Sequence, residues 1–266
     1  MGQLIFTPDS ATMNLLVEVP MSYRVVIFDL FDTLADFVRE RLPLIHINGE
    51  AIRSTSAVIY PIFAARHGHI SLEVFYQALR KSFDEAARLR EVEEREVSAR
   101  ERFHLFFQLL RIPVTPDSES FLASLLDVHM ACIADAVHAP REHRELLDWL
   151  RPRYRLALIS NFDHGPTARQ ILDRAGMTSS FELILISEEI GQRKPHAAIF
   201  DVACQALRIT PSEAIFIGDS PSIDIAGAKR VGMGAIWLDR KGDRLDKAIP
   251  PPDHIVKRLE EIKDIL

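Results

Sequence analysis

Cysteine is scarce in this chain of 266 residues: there are two, Cys132 and Cys204, far apart and each inside an apolar helical pattern. Thiols so placed read as small core hydrophobes rather than a disulfide framework. They suit a reducing compartment, so the expected location is cytoplasmic. Positive charge is not in excess either. Against 32 Lys and Arg stand 38 Asp and Glu, a formal net charge of −6. Electrostatics therefore gives no reason to expect nucleic acid or an anionic membrane as partner. No apolar run approaches the roughly 18 residues that span a bilayer. The first twenty residues carry acids and prolines but no basic start, so they make a poor secretory signal. Residues 1–22 are expected to be a flexible extension, with Met21 as an alternative native start. What remains is ordinary globular composition, 47% hydrophobic and 26% charged, which excludes a disordered or fibrous chain.

The apolar residues come in short runs. Arg24–Asp29 reads RVVIFD, ending abruptly in an acid. Four more runs look alike: Arg155–Ser160, Glu182–Ile186, Ala214–Gly218 and Ala235–Leu238. Continuous Ile, Val, Leu and Phe over so few residues fit strands buried on both faces, as in a parallel sheet. Helical patterns lie between the last four, at Thr167–Ala175, Ala197–Leu207 and Ser222–Val231, with Gly176 and Gly232 as stops. This alternation predicts right-handed βαβ units in a doubly wound, Rossmann-like α/β fold. Pro250–Pro252 marks a turn before an expected final amphipathic helix.

The alternation breaks once, between Asp29 and Arg155. That stretch shows no convincing strand and has helical patterns near Ile52–Arg66, Leu72–Arg90, Val92–Leu110, Ser118–Cys132 and Arg141–Leu150. It predicts an inserted all-α domain over residues 39–140, with the core formed by 23–38 and 141–266. Glu91 with Arg95, and Glu96 with Arg100, are spaced i,i+4, which reads as a solvated helix face. Val92, Val97, Phe103, Phe106 and Phe107 are its expected buried side. Early in the insert, Arg39, Arg41, His46 and Arg53 are candidate substrate contacts that read more simply as surface or structural residues.

Ligands of an open parallel sheet bind beyond the carboxyl ends of its strands. The residues there are Asp29-Leu30-Phe31-Asp32-Thr33-Leu34, then Ser160-Asn161, Arg193-Lys194-Pro195 and Gly218-Asp219-Ser220 with Asp224. Acids, a hydroxyl, an amide and a lysine thus converge on one edge. In order and spacing, FDLFDTL at 28–34, SN at 160–161, RKP at 193–195 and GDSPSID at 218–224 resemble the haloacid dehalogenase superfamily. The resemblance covers about Arg24–Arg39 and Glu142–Leu238. It implies strand order 3-2-1-4-5 with the insert as a helical cap. It further implies Asp29 as nucleophile, Ser160 bonding the transferring group, and Lys194 neutralising charge. Asp29, Asp219 and the Phe31 carbonyl would ligate Mg²⁺, supported by Asp224. Thr33 and Asn161 join Ser160 and Lys194 as candidate substrate contacts. A carboxylate and a phosphate brought to about 3 Å repel unless a divalent cation and a lysine compensate them.

One position departs from the phosphatase pattern. Phosphatases of the family carry a second aspartate two residues after the nucleophile, as acid and base; here that residue is Phe31. Asp32 is one place further on and points another way in an extended segment, so it reads as a turn residue. An aromatic at that position resembles the 2-haloacid dehalogenases, whose halide leaves without a proton. Those enzymes lack the acid that Asp219 represents here, and the several residues of the metal loop outweigh one. The expected function is a Mg²⁺-dependent phosphohydrolase acting on a small phosphorylated metabolite, as a monomer or homodimer. A dehalogenase-like hydrolase and a catalytically weak phosphate-binding regulator stay as alternatives.

Overall fold

The computed structural model describes residues 23–242 and 244–266. The expected extension over 1–22 and the alternative start at Met21 lie outside the described residues. The chain enters strand β1 (Val25–Phe28) and leaves through β2 (Asp36–Phe37) into β3 (Leu44–Ile47) and β4 (Glu50–Arg53). Helices α1 (Ser56–His67), α2 (Leu72–Glu93), α3 (Ala99–Leu109) and α4 (Pro116–Asp135) come next. The chain returns through β5 (Val137–His138) to α5 (Arg141–Leu150), β6 (Arg155–Ser160) and α6 (Gly165–Arg174). Then come β7 (Leu183–Ile186), α7 (Ser187–Ile190), α8 (Ala197–Leu207) and β8 (Ala214–Gly218). α9 (Ala226–Val231), β9 (Gly234–Leu238) and β10 (His254–Val256) complete the core.

Six strands form one parallel sheet in the order β10-β9-β8-β1-β6-β7. The predicted order 3-2-1-4-5 is present as β7-β6-β1-β8-β9, and β10 extends it beside β9. The final amphipathic helix expected after the prolines is thus displaced. Strand β10 takes the first residues of that segment, and only a 3₁₀ helix forms beyond it, at Leu259–Asp264. Each face of the sheet is covered because β1 is apolar at every position. Val26 and Phe28 pack with Leu146, Leu147 and Ile171 of α5 and α6. Val25 and Ile27 pack with Ile199 and Phe200 of α8 on the other face. The period of two therefore places successive side chains of β1 in different cores.

The insert is helical apart from the β3–β4 hairpin and strand β5, which pairs with β2 just before the insert begins, so the all-α expectation needs that correction. β3 and β4 form a hairpin whose turn residues, Asn48 and Gly49, sit at φ +51° and +82°. Asn-Gly is the pair that tolerates such a turn best, a signal the helical reading passed over. β2 pairs with β5, Asp36 opposite His138 and Phe37 opposite Val137. The four helices enclose an apolar cluster of their own, in which Phe63, Phe75, Phe103 and Phe106 are fully buried. Of the face expected to be buried, Val97 and the three phenylalanines are, but Val92 is 66% exposed. No helix among the described residues is long and apolar enough to cross a membrane. Both cysteines are free, Cys204 buried and Cys132 half-buried.

Candidate active site

Asp29 stands one residue past β1, its N–H donating to the Ile217 carbonyl at 2.9 Å. That bond continues the β1–β8 ladder and holds the carboxylate at the centre of the sheet's carboxyl edge. Lys194, 1% exposed, reaches in from the loop before α8. Its Nζ donates to Asp29 Oδ1 at 2.6 Å and lies 2.7 Å from Asp224 Oδ1. The ammonium also sits 4.9 Å from the centre of the Phe216 ring. Ligand atoms of Asp29, Asp219 and Asp224 lie within 4.8 Å of one another, the one such cluster among the described residues.

The loop after β8 is built to aim these acids. Asp224 lies in a π-helical turn at Pro221–Ile225, an irregularity frequent at functional sites. Its Oδ2 accepts from the Ser220 N–H at 3.0 Å. Gly218 ends β8 because a Cβ there would overlap the Asp224 carboxylate. Trp237 of β9 donates its indole N–H to the Asp219 carbonyl at 2.9 Å, fixing the loop from the neighbouring strand.

Three carboxylates face one ammonium, and Asp29 and Asp219 register the imbalance. Burial pushes the Asp29 carboxyl up to about 7; Lys194 pulls it back, while Asp224 and Asp219 push it further. Burial, with the charges of Asp224 and Asp32, raises Asp219 to about 6. Burial alone would lower the Lys194 ammonium, but Asp224 and Asp29 outweigh it and hold it above its ordinary value. The cluster is short of positive charge and offers hard oxygen donors, a set that fits Mg²⁺.

The remaining predicted residues divide by what their side chains touch. Ser160 is fully buried at the end of β6 and its Oγ has no partner among the described residues, as befits a hydroxyl left for a ligand oxygen. Thr33 is equally buried, and its Oγ1 too has no partner among the described residues. Asn161 is otherwise engaged. Its Nδ2 donates to the Lys194 carbonyl and its Oδ1 accepts from the Lys194 N–H, both at 2.8 Å. It therefore positions the lysine, where a substrate contact was expected. Asp32 takes φ +58° and its N–H donates to Ala35, a turn residue as expected. The Phe31 ring packs against Phe162, centres 4.7 Å apart and planes tilted by 36°.

Phe162 packs against both the core and the insert clusters, so it marks where the two meet. A cavity of about 250 Å³ opens there, lined by Asn161, Phe162 and Asp163 from the core and by Phe83, Arg102 and His129 from the insert. A wider cleft of about 540 Å³ holds Arg39 and Arg53, two of the early-insert candidates, and also His129. Arg41 is spent on the Val137 carbonyl, and His46 is exposed away from these cavities.

Glu96 overturns the solvated-face reading. α2 stops at Glu93 and Glu94 turns left-handed at φ +51°, so no helix carries Glu96 past Arg95. Its carboxylate is buried and accepts from Arg90 Nε at 2.7 Å, Ser187 Oγ at 2.5 Å and Arg193 Nη1 at 3.1 Å. Arg100 pairs with Glu119 instead. Glu96 thereby ties the insert to the loop that carries Lys194.

Residues 23–232 match the haloacid dehalogenase-like hydrolases. A phosphoserine phosphatase of Thermus thermophilus is 31% identical over 199 residues, 75% of this chain and 66% of that enzyme. A glyceraldehyde 3-phosphate phosphatase of Pyrococcus furiosus is 28% identical over 166 residues, 62% of this chain and 69% of its own. The aligned part thus spans just under two thirds of the Thermus enzyme's length. Among solved structures, a 2-haloacid dehalogenase from Pseudomonas syringae superposes with a TM-score of 0.69 at 23% identity, covering 91% of this chain and 97% of that one. That likeness is one of fold. The family match takes in Asp29, Ser160, Lys194, Asp219 and Asp224 together, and the chain belongs to the haloacid dehalogenase-like hydrolases.

Proposed function

We propose that this hydrolase is a Mg²⁺-dependent phosphohydrolase of a small phosphorylated metabolite, working through an aspartyl phosphate on Asp29. The observation that carries the reading is the approach of Asp219 and Asp224 to the Asp29–Lys194 pair. Attack on carbon with loss of halide needs no metal, and so no acid in the place of Asp219. Asp29 and Asp219, with the Phe31 carbonyl and support from Asp224, are the groups that would hold Mg²⁺. Bound there, the ion supplies the positive charge that lets a carboxylate and a phosphate meet.

The chain's own residues then have separable tasks. An Asp29 oxygen forms a bond to phosphorus as the ester P–O bond breaks, and the leaving oxygen takes the electron pair. Lys194 neutralises charge on Asp29 and the phosphoryl oxygens. The free Ser160 hydroxyl donates to one of those oxygens. Water later attacks phosphorus, the bond between phosphorus and the Asp29 oxygen breaks to return the carboxylate, and the water's proton leaves with the phosphate or to solvent. Phe31 has no proton to give the leaving oxygen, so acyl and aryl phosphates should outrun alkyl ones. The helical insert would serve as a cap that closes over the site, excludes water and selects the substrate. Cytoplasmic location, a small-molecule partner and a monomeric or dimeric state belong to the same proposal, as do the names of the phosphatase relatives.

The test is phosphate release from p-nitrophenyl phosphate and acetyl phosphate by chelator-stripped protein, with and without Mg²⁺. Asp29→Asn should lower a Mg²⁺-dependent rate by about 10⁴ or more. A second reading, dehalogenation, draws on the aromatic Phe31 beside the nucleophile. Metal-independent halide release from L-2-chloropropionate would establish it and end the first.

A further inference from the structure

The cavity between core and insert carries a cation with a spare donor. Arg102 is 1% exposed, and its Nε donates to Asp163 Oδ2 at 3.1 Å. Its guanidinium lies face-on to Phe83, 3.9 Å from the ring centre, a contact that leaves the in-plane N–H groups unused. Nη1 is buried and has no hydrogen-bond partner among the described residues. The other two arginines lining the cavity are occupied, since Arg90 and Arg193 both donate to Glu96. Three arginines thus stand against two carboxylates, Glu96 and Asp163, so the cavity wall carries one surplus positive charge, and its buried unmet donor is Arg102 Nη1. A buried cation with an unmet donor costs free energy that an anion would recover.

The cavity adjoins the chemistry. Asn161, which clamps the Lys194 backbone, and Phe162, which packs on Phe31, both line it. Asn161, Phe162 and Asp163 follow Ser160 directly in the chain, so the cavity wall begins at the strand end that carries the site.

We propose that Arg102 Nη1 receives a carboxylate at the far end of the substrate, which makes the substrate class small phosphorylated carboxylic acids. This rests on the phosphohydrolase reading. A single surplus charge matches a monoanion; a second phosphate would bring two charges. The planar guanidinium edge suits a planar carboxylate.

The experiment compares matched pairs that differ at the carboxylate: O-phosphoserine against O-phosphoethanolamine, and 3-phosphoglycerate against glycerol 3-phosphate. The wild-type kcat/KM should favour the acid of each pair by about tenfold or more, as a charged hydrogen bond supplies. Arg102→Gln should bring the ratio near one, with Arg102→Lys between. Using the ratio within each pair cancels any general loss of activity. A wild-type ratio near one, or a ratio unchanged in Arg102→Gln, overturns the proposal. Should Arg102→Gln fail to fold, the wild-type and Arg102→Lys ratios decide. Calorimetry on Asp29→Asn repeats the comparison as binding without turnover. There the acid should again bind about tenfold more tightly, and equal affinities overturn the subsite. Absence of Mg²⁺-dependent release from p-nitrophenyl phosphate overturns the phosphohydrolase reading by itself, while the calorimetry still reads the subsite.

Discussion

The Phe31 ring lies 4.7 Å from Phe162, and under the proposed phosphohydrolase reading it stands where a carboxyl would protonate the leaving oxygen. Supplying that carboxyl should matter most where the leaving group is poor. Phe31→Asp is therefore expected to raise turnover of alkyl phosphates by about 10²-fold, the lower range for a positioned acid. Aryl phosphates should change far less. Steady-state rates on glycerol 3-phosphate and p-nitrophenyl phosphate check this, and an equal response of the two would defeat the account of Phe31. Residues at this scale were legible where a strand end announced them. Asp29, Ser160, Lys194 and Asp219 each come after an apolar run or in its loop. Asn161 was found but not understood, because its partner is a backbone 33 residues away. His129 was missed. It is buried in α4, bonded to Thr55 at 2.9 Å, and held well below its ordinary pKa by burial and then by Arg102. Nothing in its sequence neighbourhood signals a cavity wall.

Strand ends and the turns beyond them do the positioning, and β8 shows how tightly. Its last residue, Gly218, must stay without a side chain so that Asp224 can fold back across it. Gly218→Ala should displace Asp224, and with it the acids beside Lys194, while β8 itself remains. We expect Mg²⁺ affinity to fall by about 10–100-fold, the usual cost of losing support around a ligand set, with the sheet intact by circular dichroism. Titration of Mg²⁺ against activity measures the first quantity; an unchanged midpoint would show that the close approach is idle. Elements buried on both faces were the easiest to read, since β1, β6 and β8 are unbroken apolar runs. The hairpin of β3 and β4 was hidden because alternating Leu44–Ile47 and Glu50–Arg53 are short and largely exposed. The end of α2 was hidden too. The i,i+4 spacing of Glu96 and Arg100 describes a helix that Glu94 has already ended.

For the whole molecule, the strained charge balance at the sheet edge couples stability to pH. Asp29 and Asp219 titrate at about 7 and about 6 in the folded protein, against an ordinary value of 3.8. A raised carboxyl means that the folded state holds more protons than the unfolded one between those values. The stability these groups contribute is full below 3.8 and is lost as pH rises through about 6 and about 7. Metal-free protein should accordingly melt a few degrees higher at pH 5.5 than at pH 8, on the order of 2–4 °C. Mg²⁺ should raise Tm more at pH 8, where the carboxylates are ionised. Calorimetric scans at both pH values test this, and Asp219→Asn should shrink the difference. An Asp219→Asn protein with the same pH response as the wild type would place the effect elsewhere.

The β2–β5 pair has a consequence at the same scale. Residues 36–37 and 137–138 lie side by side, so the chain departs from the core and comes back at a single point. Everything between them behaves topologically as a cassette plugged into one socket. A foreign helical bundle with neighbouring termini could be grafted there without re-threading the sheet. Chimeras made at Phe37 and Val137 would therefore replace the whole insert while leaving Asp29 and the sheet edge where they stand.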